Sequence, residues 1–187
     1  MKRRSILPIV FILILLTGCS GKQSQTKFKE FQTRIAASQY ISFTADIRAE
    51  YDDSVQEYTL DFVKENGESA VKITAPEMLA GITARISAGD DAKIEFDGAS
   101  LAAGALPGGL TPVSALPALV LAMQQGHLDM AWQEKDATVA TLTLTDDQTM
   151  TVWFDENMTP YHAELQSTGK VVVFCDIINF NLNREGE

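Results

Sequence analysis

Two cysteines and two histidines are all that the 187 residues contain, and neither pair is close in sequence. Cys19 and Cys175 make no disulfide framework and no thiol set for a metal. His127 and His162 have no Gly-x-Ser-x-Gly or other nucleophile motif beside them. The chain is therefore read as non-enzymatic, with no cofactor and no metal; the acidic pairs Asp90-Asp91 and Asp146-Asp147 are read as hairpin turns. Positive charge is scarce as well. Fifteen basic residues stand against 25 acidic ones, a net charge of −10, a poor match to nucleic acid, which rewards clusters of Lys and Arg. Also missing is an apolar run of about 20 residues, the length a membrane-spanning helix needs.

What the N-terminus does have is shorter. Lys2, Arg3 and Arg4 precede an apolar stretch from Ile6 to Leu16, broken by Pro8, and small residues lead to Cys19. These are the proportions of an export signal, read as residues 1–18. Leu16-Thr17-Gly18-Cys19 resembles the lipobox of bacterial lipoproteins. That resemblance implies a diacylglycerol thioether on Cys19, cleavage before it, and an extracytoplasmic protein anchored by lipid to the cell membrane, or to an outer membrane in a cell that has one. Acylation would also leave Cys175 without a disulfide partner, consistent with a buried, inert thiol. Loss of the leader leaves 169 residues, with 12 basic against 25 acidic and a net charge of −13. Residues 19–26, polar after the cysteine, read as lipidated cysteine and flexible tether, and such an acidic body is expected to stand off the bilayer.

The remaining residues, 27–187, read as one domain. Phe28, Phe31, Ile35 and Ala36 share one side of a helix over residues 27–38. From Tyr40 the apolar period changes to two, first in Ile41-Phe43-Ala45-Ile47-Ala49-Tyr51 and then repeatedly to Phe180, with short polar turns between the runs. The class is mainly β (α+β). Consecutive hairpins form a strongly curved antiparallel sheet, an unclosed barrel of about 10–11 strands. One segment breaks the pattern: residues 99–126 carry no charge. Within it a helix over 113–125, capped by Ser114 and stopped by Gly126, reads as an inserted lid or as a completion of the core.

Several local features, namely Ala75-Pro76-Glu77-Met78-Leu79-Ala80-Gly81, the hairpin from Trp153-Phe154-Asp155 to Thr159-Pro160-Tyr161, and Gly169 opening a strand that ends Asn179-Phe180-Asn181, resemble the LolA/LolB superfamily of lipoprotein carriers and receptors. The resemblance covers residues 26–183 and extends to Gram-positive lipoproteins, including clostridial germination lipoproteins that partner a cell-wall amidase. It implies a leading helix, an unclosed barrel and lid helices. This chain differs from the carrier in having its own lipobox and no arginine that matches the carrier's cavity arginine.

Two functions are expected. In the first, an apolar cavity walled by Phe43, Ile47, Leu60, Phe62, Ile86, Phe96, Trp132, Val152 and Leu165, under Leu116, Leu119, Val120 and Met123 of the lid, binds an acyl chain, a lipid or a lipoprotein. The small inward residues Ala45, Ala75, Ala84 and Ala92 either make that space or make room for the lid. In the second, the domain is an envelope scaffold for a protein partner such as a cell-wall enzyme. Met78 and Leu79 would then be the contact loop.

Overall fold

The computed structural model describes residues 20–51, 54–87, 91–105 and 111–183. Cys19 and the stretch expected to be a leader lie outside these residues, as does Asp90. The described chain begins with helix α1 (Ser20–Ala37), so the stretch expected to be a flexible tether is helical. Ser24, 2% exposed, precedes the buried Phe28, Phe31 and Ile35 by four, seven and eleven residues and starts the same stripe. Serine is small enough to be enclosed there, and its polarity hides the continuity of the face. Ala36, expected on the buried side, is exposed.

Eleven strands follow: β1 (Tyr40–Tyr51), β2 (Ser54–Glu65), β3 (Glu68–Ala75), β4 (Thr83–Ile86), β5 (Asp91–Phe96), β6 (Ala99–Ala105), β7 (His127–Glu134), β8 (Ala137–Thr145), β9 (Gln148–Phe154), β10 (Pro160–Ser167) and β11 (Lys170–Asn181), with helix α2 (Pro112–Gln125) between β6 and β7. Two-residue loops set the hairpin registers. Asn66-Gly67, Asp97-Gly98 and Thr168-Gly169 all take positive φ at both positions, the twist that suits adjoining antiparallel strands.

All the strands form one antiparallel sheet in the order β6-β5-β4-β3-β2-β1-β11-β10-β9-β8-β7. Two meanders are thus joined where β1 pairs with β11, and β6 and β7 are left as edges. The sheet is an unclosed barrel, and the uncharged segment that holds α2 links its two edges.

Two details differ from expectation. Residues 99–105, grouped by composition with the lid, are strand β6 paired to β5; alanine and glycine carry little strand signal of their own. At α2 the cap is Thr111, whose Oγ1 accepts from the Ser114 amide at 3.2 Å while the Thr111 amide donates to Ser114 Oγ at 3.1 Å. Ser114 is therefore the reciprocal partner of the cap, and Pro112 opens the helix where no amide hydrogen is needed.

Candidate functional site

Alternation along β1 directs Ile41, Phe43, Ala45, Ile47 and Ala49 to the concave face, all at most 3% exposed. From that strand, register defines rows across the sheet. Toward β7 the row is Ile47, Cys175, Ala163, Val152, Ala140, Ala131, none more than 4% exposed. Toward β6 it is Phe43, Phe62, Val71, Ala84, Ile94, Leu101, with exposures of 3%, 1%, 0%, 5%, 37% and 69%. One apolar row begins in the core and ends in solvent.

The helices account for this gradient. α1 packs on β7 and β8, and α2 on β1, β2, β3 and β8. Phe28 and Phe31 from α1 stack edge-on to Phe154 at 5.8 and 4.8 Å, and Phe31, Phe180, Phe43 and Phe62 continue a chain of rings across the trough. A side chain that borders a space large enough for water keeps some accessible surface. Leu60, Leu116, Val120, Met123 and Val152 are at 0% and Leu119 and Leu165 at 2%, so protein atoms fill the space around them. Ala45, at 0%, likewise adjoins no free space, and on β1 it makes room for α2.

The expected cavity residues thus divide into three groups. Phe43, Ile47, Leu60, Phe62, Leu116, Leu119, Val120, Met123, Val152 and Leu165 form packed core. Ile86, on β4, is half-buried against that core, and Phe96, on β5, is 51% exposed beside Gly81. Trp132 is not on the wall at all. A register shift between Leu128 and Met130 turns Leu128 and Ala131 inward and sets Trp132 opposite Val139, in the row that carries Trp153 and His162 on the convex face.

Past the helices, the concave face of β4 to β6 forms an open wing with exposed Ile94, Phe96 and Leu101, and with Ile82 and Ile86 half-buried behind them. Ile94 and Leu101 were not among the expected site residues. The alternation in β5 pointed to Ile94; Leu101 was hidden in a stretch not read as strand. Near the wing, Met78 and Leu79 lie in a 3-10 turn (Glu77–Leu79): Met78 is 88% exposed, while Leu79 is half-buried against the core.

Ionisable groups mark the site's limits. Lys64 lies opposite Ile41 on the concave side and donates to Gln124 Oε1 at 2.5 Å; Gln124 in turn donates to the Ile35 carbonyl at 3.0 Å. This bridge ties the C-terminal ends of α2 and α1 to β2, and partial burial holds Lys64 below the ordinary lysine range. Cys175 is pushed well above the usual thiol range by burial first, then by the charges of Asp176 and Asp46. On the convex face His162 Nδ1 lies 2.6 Å from Asp176 Oδ1 and its Nε2 lies 3.6 Å from Glu164, with Trp153 edge-on at 5.1 Å. His127 is exposed at the start of β7. Among the described residues no group of three or more His, Cys, Asp or Glu is placed to hold a metal ion, and no helix is long and apolar enough to cross a membrane.

No protein-family model and no curated protein matches the sequence. Solved structures do match in fold. An uncharacterized conserved protein from Thermus thermophilus aligns with a TM-score of 0.51 at 10% identity, covering 86% of this chain and 88% of that one. A DUF1329 family protein from Desulfovibrio piger aligns with a TM-score of 0.52 at 8% identity, covering 90% and 95%. A LolA superfamily protein from Nitrosomonas europaea aligns with a TM-score of 0.49 at 16% identity, covering 86% and 93%. At these identities the first two alignments show a shared fold and nothing more.

Proposed function

We propose that this chain is a lipid-anchored, extracytoplasmic, non-enzymatic protein that holds an acyl chain, of a lipid or of a lipoprotein, on the open wing of its half-barrel. The observation that carries the reading is the exposure gradient from Phe43 to Leu101. Folding has covered the trough with α1 and α2, yet it leaves Ile94, Phe96 and Leu101 in water on the same apolar face. Exposed apolar area of this kind is offset when a guest covers it, at about 25 cal/mol per Å². The wing has no charged side chain among its inward positions, so an aliphatic chain meets no desolvation cost there.

The test is native mass spectrometry of the protein from residue 20 onward, mixed with a long-chain fatty acid or a diacyl phospholipid. Wild type should carry the adduct, and Leu101→Glu and Ile94→Lys should lose it. Both positions face solvent, so neither change buries a charge and both variants should fold. Wild type without adduct, or an equal adduct on both variants, would sink the reading. Attachment at Cys19 is tested separately, by the mass of the N-terminal peptide of the exported protein.

Met78 supports a second reading, in which the wing's margin binds an envelope protein, because an 88% exposed methionine in a 3-10 turn is an adaptable apolar contact. Pull-down with wild type and Met78→Asp separates this reading from the first. A partner lost with Met78→Asp but kept with Leu101→Glu would favour the scaffold.

A further inference from the structure

Charge is unevenly spread over the chain. α1 carries Lys22, Lys27, Lys29 and Arg34 against Glu30 alone, a net of +3; the residues after Ala37 carry eight basic and twenty-four acidic side chains, a net of −16. The helix next to the lipobox cysteine is therefore the basic element of an acidic protein. We propose that the outer face of α1 is a membrane-contact surface that lies on anionic phospholipid headgroups and sets the orientation of the body on the bilayer. The proposal rests on the acylation of Cys19 put forward above.

Three observations carry it. First, the described helix already includes Ser20, the residue that follows Cys19 in the chain. A flexible tether of the expected length would let the body wander by about 15 Å. Along the helix axis Lys22 lies about 3 Å from Ser20, the residue bonded to that cysteine, well inside the ~8 Å Debye length at physiological salt.

Second, the buried stripe of Ser24, Phe28, Phe31 and Ile35 places Lys22, Thr26, Lys29 and Thr33 on the opposite face. Thr26 Oγ1 donates back to the Lys22 carbonyl at 3.0 Å and Thr33 Oγ1 to the Lys29 carbonyl at 2.9 Å. With both hydroxyls folded onto the backbone, the two exposed ammonium groups project furthest from this face. Its exposed apolar side chains are only the small Ala36 and Ala37 at the C-terminal end, which suits headgroups and not the acyl region. Arg34 is held back over the Phe31 ring at 5.7 Å.

Third, the convex side of the sheet, away from α1, bears Asp46, Asp61, Glu164 and Asp176. Laying α1 on an anionic leaflet turns that acidic face outward. A lysine near such a surface shifts the lying population by about fivefold. The net charge of −13, which read as standing off the bilayer, thus conceals a body with a basic underside.

The experiment uses the full processed chain in vesicles of phosphatidylcholine alone, or of phosphatidylcholine and phosphatidylglycerol in equal parts. A short pulse of an amine-reactive ester followed by peptide mass spectrometry reads every lysine and the mass on Cys19 together. Lys22 and Lys29 should be several-fold slower to react on the anionic vesicles, relative to exposed Lys93 and Lys170. High salt should restore their reactivity, and Lys22→Gln should weaken the protection of Lys29. Equal reactivity on the two kinds of vesicle, or protection that survives high salt, overturns the proposal while an acyl mass on Cys19 upholds the anchor. A Cys19 peptide without acyl mass overturns the anchor and the proposal with it.

Discussion

Single side chains set the limits of the helices and of the pH range. Thr111 and Ser114 satisfy each other's amide hydrogens at the start of α2, so Thr111→Ala should lower stability by about 1 kcal/mol, read as an earlier urea midpoint with an unchanged slope. Cys175 acts through pH. Its folded-state pKa is raised above the ordinary thiol value of 9.0, by burial and then by neighbouring carboxylates. The stability it contributes is fully present below pH 9.0 and is lost as the pH rises above it, because there the unfolded chain releases a proton that the native thiol retains. Urea midpoints measured upward from pH 9.0 should therefore fall less steeply in Cys175→Ala than in wild type.

Among the elements, α1 differs most from its composition. Seven polar residues after the cysteine resemble a linker, but Ser24 is enclosed and Gly21 sits where an added Cβ would lie 3.8 Å from the Ala131 carbonyl oxygen on β7. Hydrogen exchange should find the amides from Ser24 to Phe28 protected to nearly the same degree as those from Phe31 to Ile35; a tether would exchange at the rate of free peptide. Much of the sheet was legible from alternation, because one wet and one dry face impose a period of two on the strands. The bulge in β7 was not. One extra residue reverses which side chains face inward, and the pattern Leu128, Met130, Trp132 reads equally well through it.

For the whole molecule, the order of strands matters most. Pairing of β1 with β11 leaves β6 and β7 as the two edges, and α2 lies between them in the chain, so the helix and the edges are covalently coupled. If the wing and not the packed trough takes the ligand, addition of a fatty acid should slow exchange in β5 and β6 and leave α2 unchanged. Slower exchange confined to α2 would place the guest in the trough after all. The bridge from Lys64 through Gln124 to the Ile35 carbonyl ties α2 to β2 and α1, neither of which belongs to the wing.

By itself the sequence determined the antiparallel half-barrel, the leading and inserted helices, and a concave face lined by aliphatic and aromatic side chains, because periodicity and turn chemistry act over a few residues. The lipobox-like order Leu16-Thr17-Gly18-Cys19 is legible there as well, because a resemblance of that kind depends on order and not on folding. Only the tertiary structure decided which part of that face is core and which is open. That outcome depends on where two helices come to rest, and Phe43 and Leu101 are alike in hydrophobicity yet differ from 3% to 69% in exposure. A pattern of apolar residues says which way each points; what lies above them is set by contacts between residues far apart in the chain, such as Phe31 with Phe154 and Lys64 with Gln124.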